Sequence, residues 1–115
     1  MEQMEQKDLA QEITQLHADM CAALADPKRI LILYALTGHH QKVGDLAVQI
    51  GISQPAASRH LKILRDRGLV RADRQGASVE YHITDLRLIE ALDTLRAVLR
   101  DRIQHSANLI EGYRE

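Results

Sequence analysis

Residues 43–65 read VGDLAVQIGISQPAASRHLKILR and contain two short helical patterns separated by a glycine. Apolar side chains fall on one helical face from Val43 to Ile50, and again in the segment after the glycine. Gly51 supplies the backbone bend, and Ala47 is small enough to let two crossing helices approach each other. The stretch therefore predicts a helix-turn-helix unit over residues 43–67.

The second helix of this pair, predicted from Gln54 to Arg67, has the features of a helix that binds DNA. Ser53 can cap its first turn, where Pro55 is also favoured. The start of such a helix projects outward and fits the major groove, which is about 12 Å wide. Glutamine and arginine can pair with base edges, whereas serine, lysine and further arginines suit phosphates. The candidate DNA contacts on this helix are Ser53, Gln54, Ser58, Arg59, His60, Lys62 and Arg65.

After Gly68 the apolar period changes from helical to alternating, which predicts a β-hairpin over residues 69–83. Its strands are expected at residues 69–74 and 77–83, with Gln75 and Gly76 at the tip because glycine tolerates positive φ. Such a hairpin would act as a wing that touches the flanking DNA backbone or minor groove. The candidate wing contacts are Arg71, Arg74 and Gln75.

Two helices with apolar stripes are predicted at the chain ends, over residues 7–25 and 85–111. Between the first of them and the helix-turn-helix, Asp26 and Pro27 start a helix that is apolar all round from residue 30 to 36 and is expected to be buried. One small core cannot easily cover both end stripes, so we predict that they form a homodimer interface. The stripe residues are Leu9, Ile13, Leu16 and Met20 in the first helix and Leu88, Leu92, Leu95, Leu99 and Ile103 in the last.

The expected fold class is therefore mainly α with a small β-hairpin, a single winged helix-turn-helix domain over residues 1–115 with the element order α-α-α-α-β-β-α. No apolar run approaches the roughly 20 residues that span a bilayer, and the polar, acidic N-terminus has no signal-peptide pattern. A cytoplasmic location is expected. No nucleophile–base pair, glycine-rich phosphate loop or suggestive carboxylate pair indicates an enzyme.

Positive charge is concentrated in one part of this chain, whose formal net charge is only −1. Residues 1–26 carry six acidic side chains against Lys7 alone, whereas residues 53–76 carry six lysines and arginines against two aspartates. A basic surface confined to the helix-turn-helix and hairpin favours double-stranded DNA as the partner. The alternatives are a solvated basic face, or a winged-helix module that binds another protein instead of DNA.

Four stretches together resemble the ArsR/SmtB family of winged-helix repressors: ALADPKRILIL (residues 23–33), VGDLA (43–47), SQPAASRHLKILRDRGLV (53–70) and RQGASVEYHI (74–83). The resemblance implies a winged helix that dimerises through its first and last helices. It also implies a sequence-specific repressor that an effector, commonly a metal or a thiol-reactive signal, releases from operator DNA.

The effector positions that the resemblance implies are not filled in this chain. The place of the family's Cys-x-Cys pair before Asp-Leu is taken by residues 42–44, KVG. On the last helix Asp85 and Asp101 remain, but Arg87 and Val98 stand where the zinc-type site has histidines, and neither can bind zinc. We therefore expect no metal or other cofactor at these positions, and the effector stays unidentified.

Other ligand-type side chains lie outside those positions. His17 and Cys21 are four residues apart on the first helix, and His39 and His40 occupy the loop before the third. In a dimer they could converge on a nickel-, zinc- or copper-type site, or Cys21 could serve as a redox switch. The simpler reading, which we favour, is that Cys21 is a small buried residue of the dimer helix and that the two histidines form a polar turn. The histidines expected to be isolated at the surface are His82 and His105.

Overall fold

The computed structural model describes the backbone of residues 2–114 and the side chains of residues 5–112. Over these residues the chain forms five helices and one hairpin in the predicted order, which confirms the predicted fold class. The first helix, α1, is α-helical over Glu2–Leu16, π-helical over His17–Cys21 and α-helical again over Ala22–Leu24. The other elements are α2 (Pro27–Ala35), α3 (Val43–Ile50), α4 (Gln54–Asp66), β1 (Val70–Gln75), β2 (Ser78–Ile83) and α5 (Arg87–Arg114).

The π-helical turn in α1 was not predicted, and neither proline nor glycine marks it in the sequence. Such turns occur mostly as single insertions inside α-helices, frequently at functional sites. Asp19 lies within the turn, and its Oδ1 is 3.2 Å from Nη1 of Arg67, which follows the last residue of α4. This ion pair joins the first helix to the end of α4.

The junction between α1 and α2 is built as the sequence predicts. Asp26 has extended backbone angles and its Oδ1 accepts a hydrogen bond of 2.8 Å from the backbone N–H of Lys28, while Pro27 occupies the first turn. Arg29 turns back from α2, donates a hydrogen bond to the carbonyl oxygen of Ala23 and lies 3.7 Å from the Asp26 carboxylate. Arg29 thereby satisfies a carbonyl group at the end of α1 that has no partner within the helix.

The core lies between α2, α3, α4 and the start of β1. Its large, fully buried side chains are Ile32, Leu33, Leu46, Leu61, Leu64 and Val70. α2 is central and mostly buried as predicted, although Leu31 is 46% exposed. A helix with an apolar residue on every face still has one side that no other element covers.

The hairpin tip lies one residue later than predicted. The strands pair antiparallel from Val70 opposite Ile83 to Gln75 opposite Ser78, which leaves residues 76 and 77 as the two-residue loop. Gly76 has a φ of +63° and the alanine after it does not have a positive φ. Glycine at the first central position is the preference of a type II′ hairpin turn.

Gln41, in the segment before α3, forms an isolated antiparallel β-bridge with Tyr81 of the hairpin, which was not predicted. The backbone N–H of Gln41 donates to the Tyr81 carbonyl at 3.1 Å, and the Tyr81 N–H donates back at 2.7 Å. The side chain of Gln41 is buried, and its Nε2 donates to the carbonyl oxygen of Ala35 at 2.6 Å. These bonds fix the end of α2 relative to the hairpin.

Residue contacts divide the chain into two compact units, Met1–Thr84 and Asp85–Glu115. The second unit consists of α5, and Asp85 caps it, because its Oδ1 accepts a hydrogen bond of 2.9 Å from the backbone N–H of Arg87. The helix continues past the predicted end at residue 111. That residues 1–115 form a single domain stays a prediction. Within residues 2–114, none of the helices has the length and apolar character that a bilayer crossing requires.

Candidate nucleic-acid interface

The turn of the helix-turn-helix depends on Gly51. It ends α3 with a φ of +79°, in the left-handed region that side chains rarely adopt, and its N–H donates to the Ala47 carbonyl at 2.9 Å. The two helices approach closely, since a Cβ added at Gly44 would lie 3.7 Å from Oε1 of Gln54. The predicted helix-turn-helix over residues 43–67 is confirmed.

The first turn of α4 is fixed by its cap. Oγ of Ser53 accepts a hydrogen bond of 3.2 Å from the backbone N–H of Ala56, and Pro55 lies in the first turn. The remaining N–H groups at a helix start attract anions, and a DNA phosphate is one such anion. Ser53 and Gln54 are exposed at this end, as a contact with a duplex requires.

The two faces of α4 have different functions. Ala57, Leu61 and Leu64 are fully buried and hold the helix against the core. The opposite face is exposed over its whole length and is polar and positively charged; its predicted DNA contacts are Gln54, Ser58, Arg59, Lys62 and Arg65. We call this set the basic face of α4.

The cations of this surface differ in whether they already have partners. Among the described side chains, the guanidinium groups of Arg59, Arg65 and Arg74 make no hydrogen bond or ion pair. Nζ of Lys62 lies 2.9 Å from Oδ2 of Asp66, and this hydrogen bond lowers the pKa of the Asp66 carboxyl below its usual value. Exposed pairs of this kind are weak, so a phosphate can replace the aspartate as the partner of the lysine.

His60 differs from its neighbours on α4 because it is half-buried. Its Nδ1 lies 3.4 Å from Nη1 of Arg29, so the imidazole faces α2 and not the exposed side of α4. A role for His60 as a DNA contact stays a prediction. The contact with Arg29 provides a second connection, beside Asp19 and Arg67, between the α1–α2 junction and α4.

The predicted wing contacts lie on both faces of the hairpin. Side chains alternate along a strand, so Arg71 and Gln75 share a face with their cross-strand partners, whereas Arg74 lies on the other face opposite Val79. Arg74 and Gln75 are exposed next to the tip. The tip can therefore present one basic and one amide side chain to a duplex, and the roles of all three wing residues stay predictions.

The expectation that His82 is an isolated surface residue is wrong. Its side chain is 12% exposed, its ring centroid is 4.7 Å from that of His40, and its Nε2 lies 3.1 Å from Nε of Arg71. His39 is also more than part of a polar turn, because its Nε2 is 2.8 Å from Nε2 of the buried Gln41. Local sequence patterns missed this cluster, since His40 is distant from the hairpin along the chain.

Apolar side chains are exposed on both end helices. In α1 the stripe of Leu9, Ile13, Leu16 and Met20 is between 41% and 57% exposed. In α5 the exposed stripe residues are between 54% and 64% accessible: Leu95, Leu99 and Ile103. Leu88 is half-buried and Leu92 is only 5% exposed, so these two predicted interface residues offer less surface to a second copy. The assignment of the stripes to a dimer interface stays a prediction.

Two side chains at the positions of the family's zinc-type site, Asp85 and Arg87, bond to each other. Arg87 holds Asp85 through an Nη2–Oδ2 distance of 2.7 Å, and these hydrogen bonds lower the pKa of the Asp85 carboxyl to about 2. Cys21 was expected to be buried but is exposed in this protomer, and His17 is exposed as well. Among the described residues, no three histidine, cysteine or acidic side chains are grouped so that they could hold a metal ion.

A helix-turn-helix with an exposed basic face, followed by a two-stranded wing, defines the winged helix-turn-helix class of DNA-binding proteins. The sequence profile described as bacterial regulatory protein, arsR family, matches residues 26–72. The transcriptional regulator NmtR of Mycobacterium tuberculosis is 39% identical over 95 residues, which are 83% of this chain and 73% of that protein. The chain belongs to the ArsR family.

Two further relatives agree with this assignment. The nodulation protein NolR of Rhizobium meliloti is 34% identical over 90 residues, 78% of this chain and 74% of that protein. The solution structure of the homodimeric winged helix-turn-helix DNA-binding domain of Mb0332 from Mycobacterium bovis has a TM-score of 0.73 and 28% identity. It covers 84% of this chain, and the match includes 88% of that domain.

These comparisons confirm the predicted function class. The chain is a DNA-binding transcriptional regulator and not an enzyme, since the family consists of regulatory proteins. The alternative of a winged helix that binds only other proteins is not favoured.

Proposed function

We propose that this chain is a homodimeric repressor that binds operator DNA with α4 of each copy in the major groove and the wing beside it. The observation that carries the proposal is the pair of unpartnered guanidinium groups, Arg59 and Arg65, on the exposed face of a helix whose other face is fully buried. An arginine side chain can form two hydrogen bonds to the edge of guanine or bind a phosphate. Guanidinium groups without a partner in the protein are free to do so.

The apolar stripes of α1 and α5 support the homodimer. Soluble monomers rarely expose large contiguous apolar patches, and seven predicted interface residues on these helices are more than 40% exposed. A second copy provides an equivalent stripe through twofold symmetry. Such a dimer presents two copies of α4 to half-sites that are one helical turn apart, about 10–10.5 base pairs.

We further propose that no bound metal is needed for DNA binding and that a still unidentified effector releases the operator. The poor fit of residues 42–44 and of the Asp85–Arg87 pair to metal ligation supports the first part. We also propose a cytoplasmic location, because that is where operator DNA is found. The effector class is tested by titrating a preformed operator complex with Zn²⁺, Ni²⁺, Cu⁺, arsenite and a persulfide in turn, beside Cys21→Ser, and measuring release by fluorescence anisotropy.

DNA binding itself is tested with a fluorescent duplex from the region upstream of the gene, at salt concentrations between 50 and 300 mM. If the protein neutralises Z phosphates, log K falls with log salt with a slope of about −0.9Z. We expect a slope of several units and competition by unlabelled specific duplex. A protein that binds no duplex even at low salt would contradict the proposal.

Replacing Arg59 with alanine is expected to weaken specific binding by about 1–3 kcal/mol and to relax the base preference at one operator position, because a paired hydrogen bond to a base edge is lost. Arg65→Ala is expected to weaken binding to all sequences equally and to reduce the salt slope by about 1, as the loss of a phosphate contact does. Affinities for a panel of single-substituted operators distinguish these two results.

Arg100→Ala is the matched control for both variants, since it removes an exposed arginine from α5, outside the basic face of α4. It is expected to leave specificity unchanged. If Arg59→Ala binds every operator variant as the wild type does, the assigned role of Arg59 is wrong.

A further inference from the structure

The bond between Arg71 and His82 determines where the proton lies on the imidazole. The two residues are directly opposite each other in the hairpin, with 3.1 Å between Nε of Arg71 and Nε2 of His82. A guanidinium group can only donate hydrogen bonds. Nε2 must therefore act as the acceptor, which requires a neutral ring with its proton on Nδ1.

The other nitrogen of the ring is poorly satisfied in this neutral state. Nδ1 of His82 is buried and lies 3.2 Å from Oδ2 of Asp73, close enough for an ion pair, but the geometry is not that of a hydrogen bond. A proton added to the ring would give this carboxylate a full positive charge as its partner. The Asp73 carboxylate is therefore placed to pair with the ring once the ring carries a second proton.

The remaining charged or titratable neighbours come from every element around the ring. Arg71 and Asp73 belong to β1, and Glu80 belongs to β2, with its Oε2 3.8 Å from Nδ1 of His40. His40 belongs to the segment before α3 and stacks on His82 at a centroid distance of 4.7 Å. Protonation thus adds a cation next to the Asp73 carboxylate, the Arg71 guanidinium and the His40 imidazole, which itself lies near Glu80.

We propose that His82 is a positioning residue for the wing, which holds Arg71 on the hairpin when neutral and releases it toward a DNA phosphate when protonated. A proton on Nε2 removes the acceptor that Arg71 has among the described side chains and places two donors against each other. The histidine then pairs with Asp73, and the guanidinium leaves. Histidine is the side chain that changes charge between pH 5 and 8, so operator affinity acquires a component that rises as the pH falls. The inference rests on the proposed binding of DNA by the wing.

The test compares operator affinity and its salt dependence at pH 8 and pH 6 for the wild type and His82→Gln. Glutamine keeps an acceptor for Arg71 but cannot take up a proton. At 0.1 M salt the wild type is expected to gain about fivefold to tenfold more affinity than the variant on going to pH 6, with a salt slope steeper by about 1, which is the contribution of one added phosphate contact. His105→Gln, which removes an exposed histidine from α5, is expected to behave as the wild type.

Two further results are required. Arg71→Ala is expected to remove the same pH-dependent component, and the nitrogen chemical shifts of His82 in the free protein are expected to show the Nδ1–H form at pH 8. If His82→Gln retains the full pH response, or if the ring carries its proton on Nε2 at pH 8, this inference is overturned while the proposed function stands. If no duplex is bound at either pH, both are overturned.

Discussion

Replacing Leu99 with glutamate is expected to separate the dimer into monomers and to weaken operator binding by roughly 10²–10⁴-fold. Leu99 is 54% exposed in the apolar stripe of α5, and twofold symmetry places two new charges in the interface for each substitution. A monomer has one α4 instead of two and loses the gain in effective concentration that links the second half-site to the first. Light scattering coupled to gel filtration gives the mass, and anisotropy gives the affinity.

Gln104→Glu is the control for this variant, because it adds the same charge to the same helix at a polar, exposed position. It is expected to remain dimeric and to bind DNA with at most a small loss from electrostatic repulsion. A Leu99→Glu protein with the mass of a dimer would show that the α5 stripe is not the interface. A monomeric variant that bound the operator as tightly as the wild type would show that dimerisation is not needed for operator binding.

Replacing Leu61 with alanine is expected to lower the free energy of unfolding by about 2–5 kcal/mol. The side chain is fully buried, with 0% exposure, on the inner face of α4 between Ala57 and Leu64. The substitution leaves a cavity where α4 packs against the core. Both the stability of the fold and the orientation of the basic face of α4 are therefore affected. Urea unfolding followed by circular dichroism measures the change, at one fixed protein concentration because a dimer is stabilised by association.

Ile63→Ala on the same helix is the comparison, since Ile63 is 39% exposed. It loses less buried area and is expected to be destabilised by about 1 kcal/mol or less. Equal losses in the two variants would contradict the assignment of an inner and an outer face to α4. With both faces correctly assigned, Leu61→Ala is also expected to lose operator binding at a lower temperature than Ile63→Ala.

Local patterns in the sequence predict the elements of this fold well. The cap at Ser53, the bend at Gly51 and the change of period after Gly68 each depend on residues close together in the chain. Helix ends and the hairpin tip are less well defined, because Gly76 suits either central position of a tight turn. Pairing of Gln75 with Ser78 selects the first position.

The parts that the sequence did not predict depend on contacts between distant residues. The burial of His82 involves His40 from the loop before α3, and the β-bridge at Gln41 requires Tyr81. An alternating pattern predicts which hairpin residues share a face, but no local pattern indicates that another loop packs against His82. Likewise, His60 shares the spacing of the DNA-contact residues, and only the position of Arg29 accounts for its inward orientation.

Two contacts connect α4 to the helices before it, from Arg29 of α2 to His60 and from Asp19 of α1 to Arg67, and they have a consequence for operator geometry. Through them, a rotation of α1 in the proposed dimer would be transmitted to α4. The spacing between the two reading helices is then set at the subunit interface, while the duplex demands about 34–36 Å between successive grooves. A ligand that tilts α1 by a few degrees would then change the distance between the two copies of α4. The two helices would no longer match successive grooves, although the ligand contacts no DNA base.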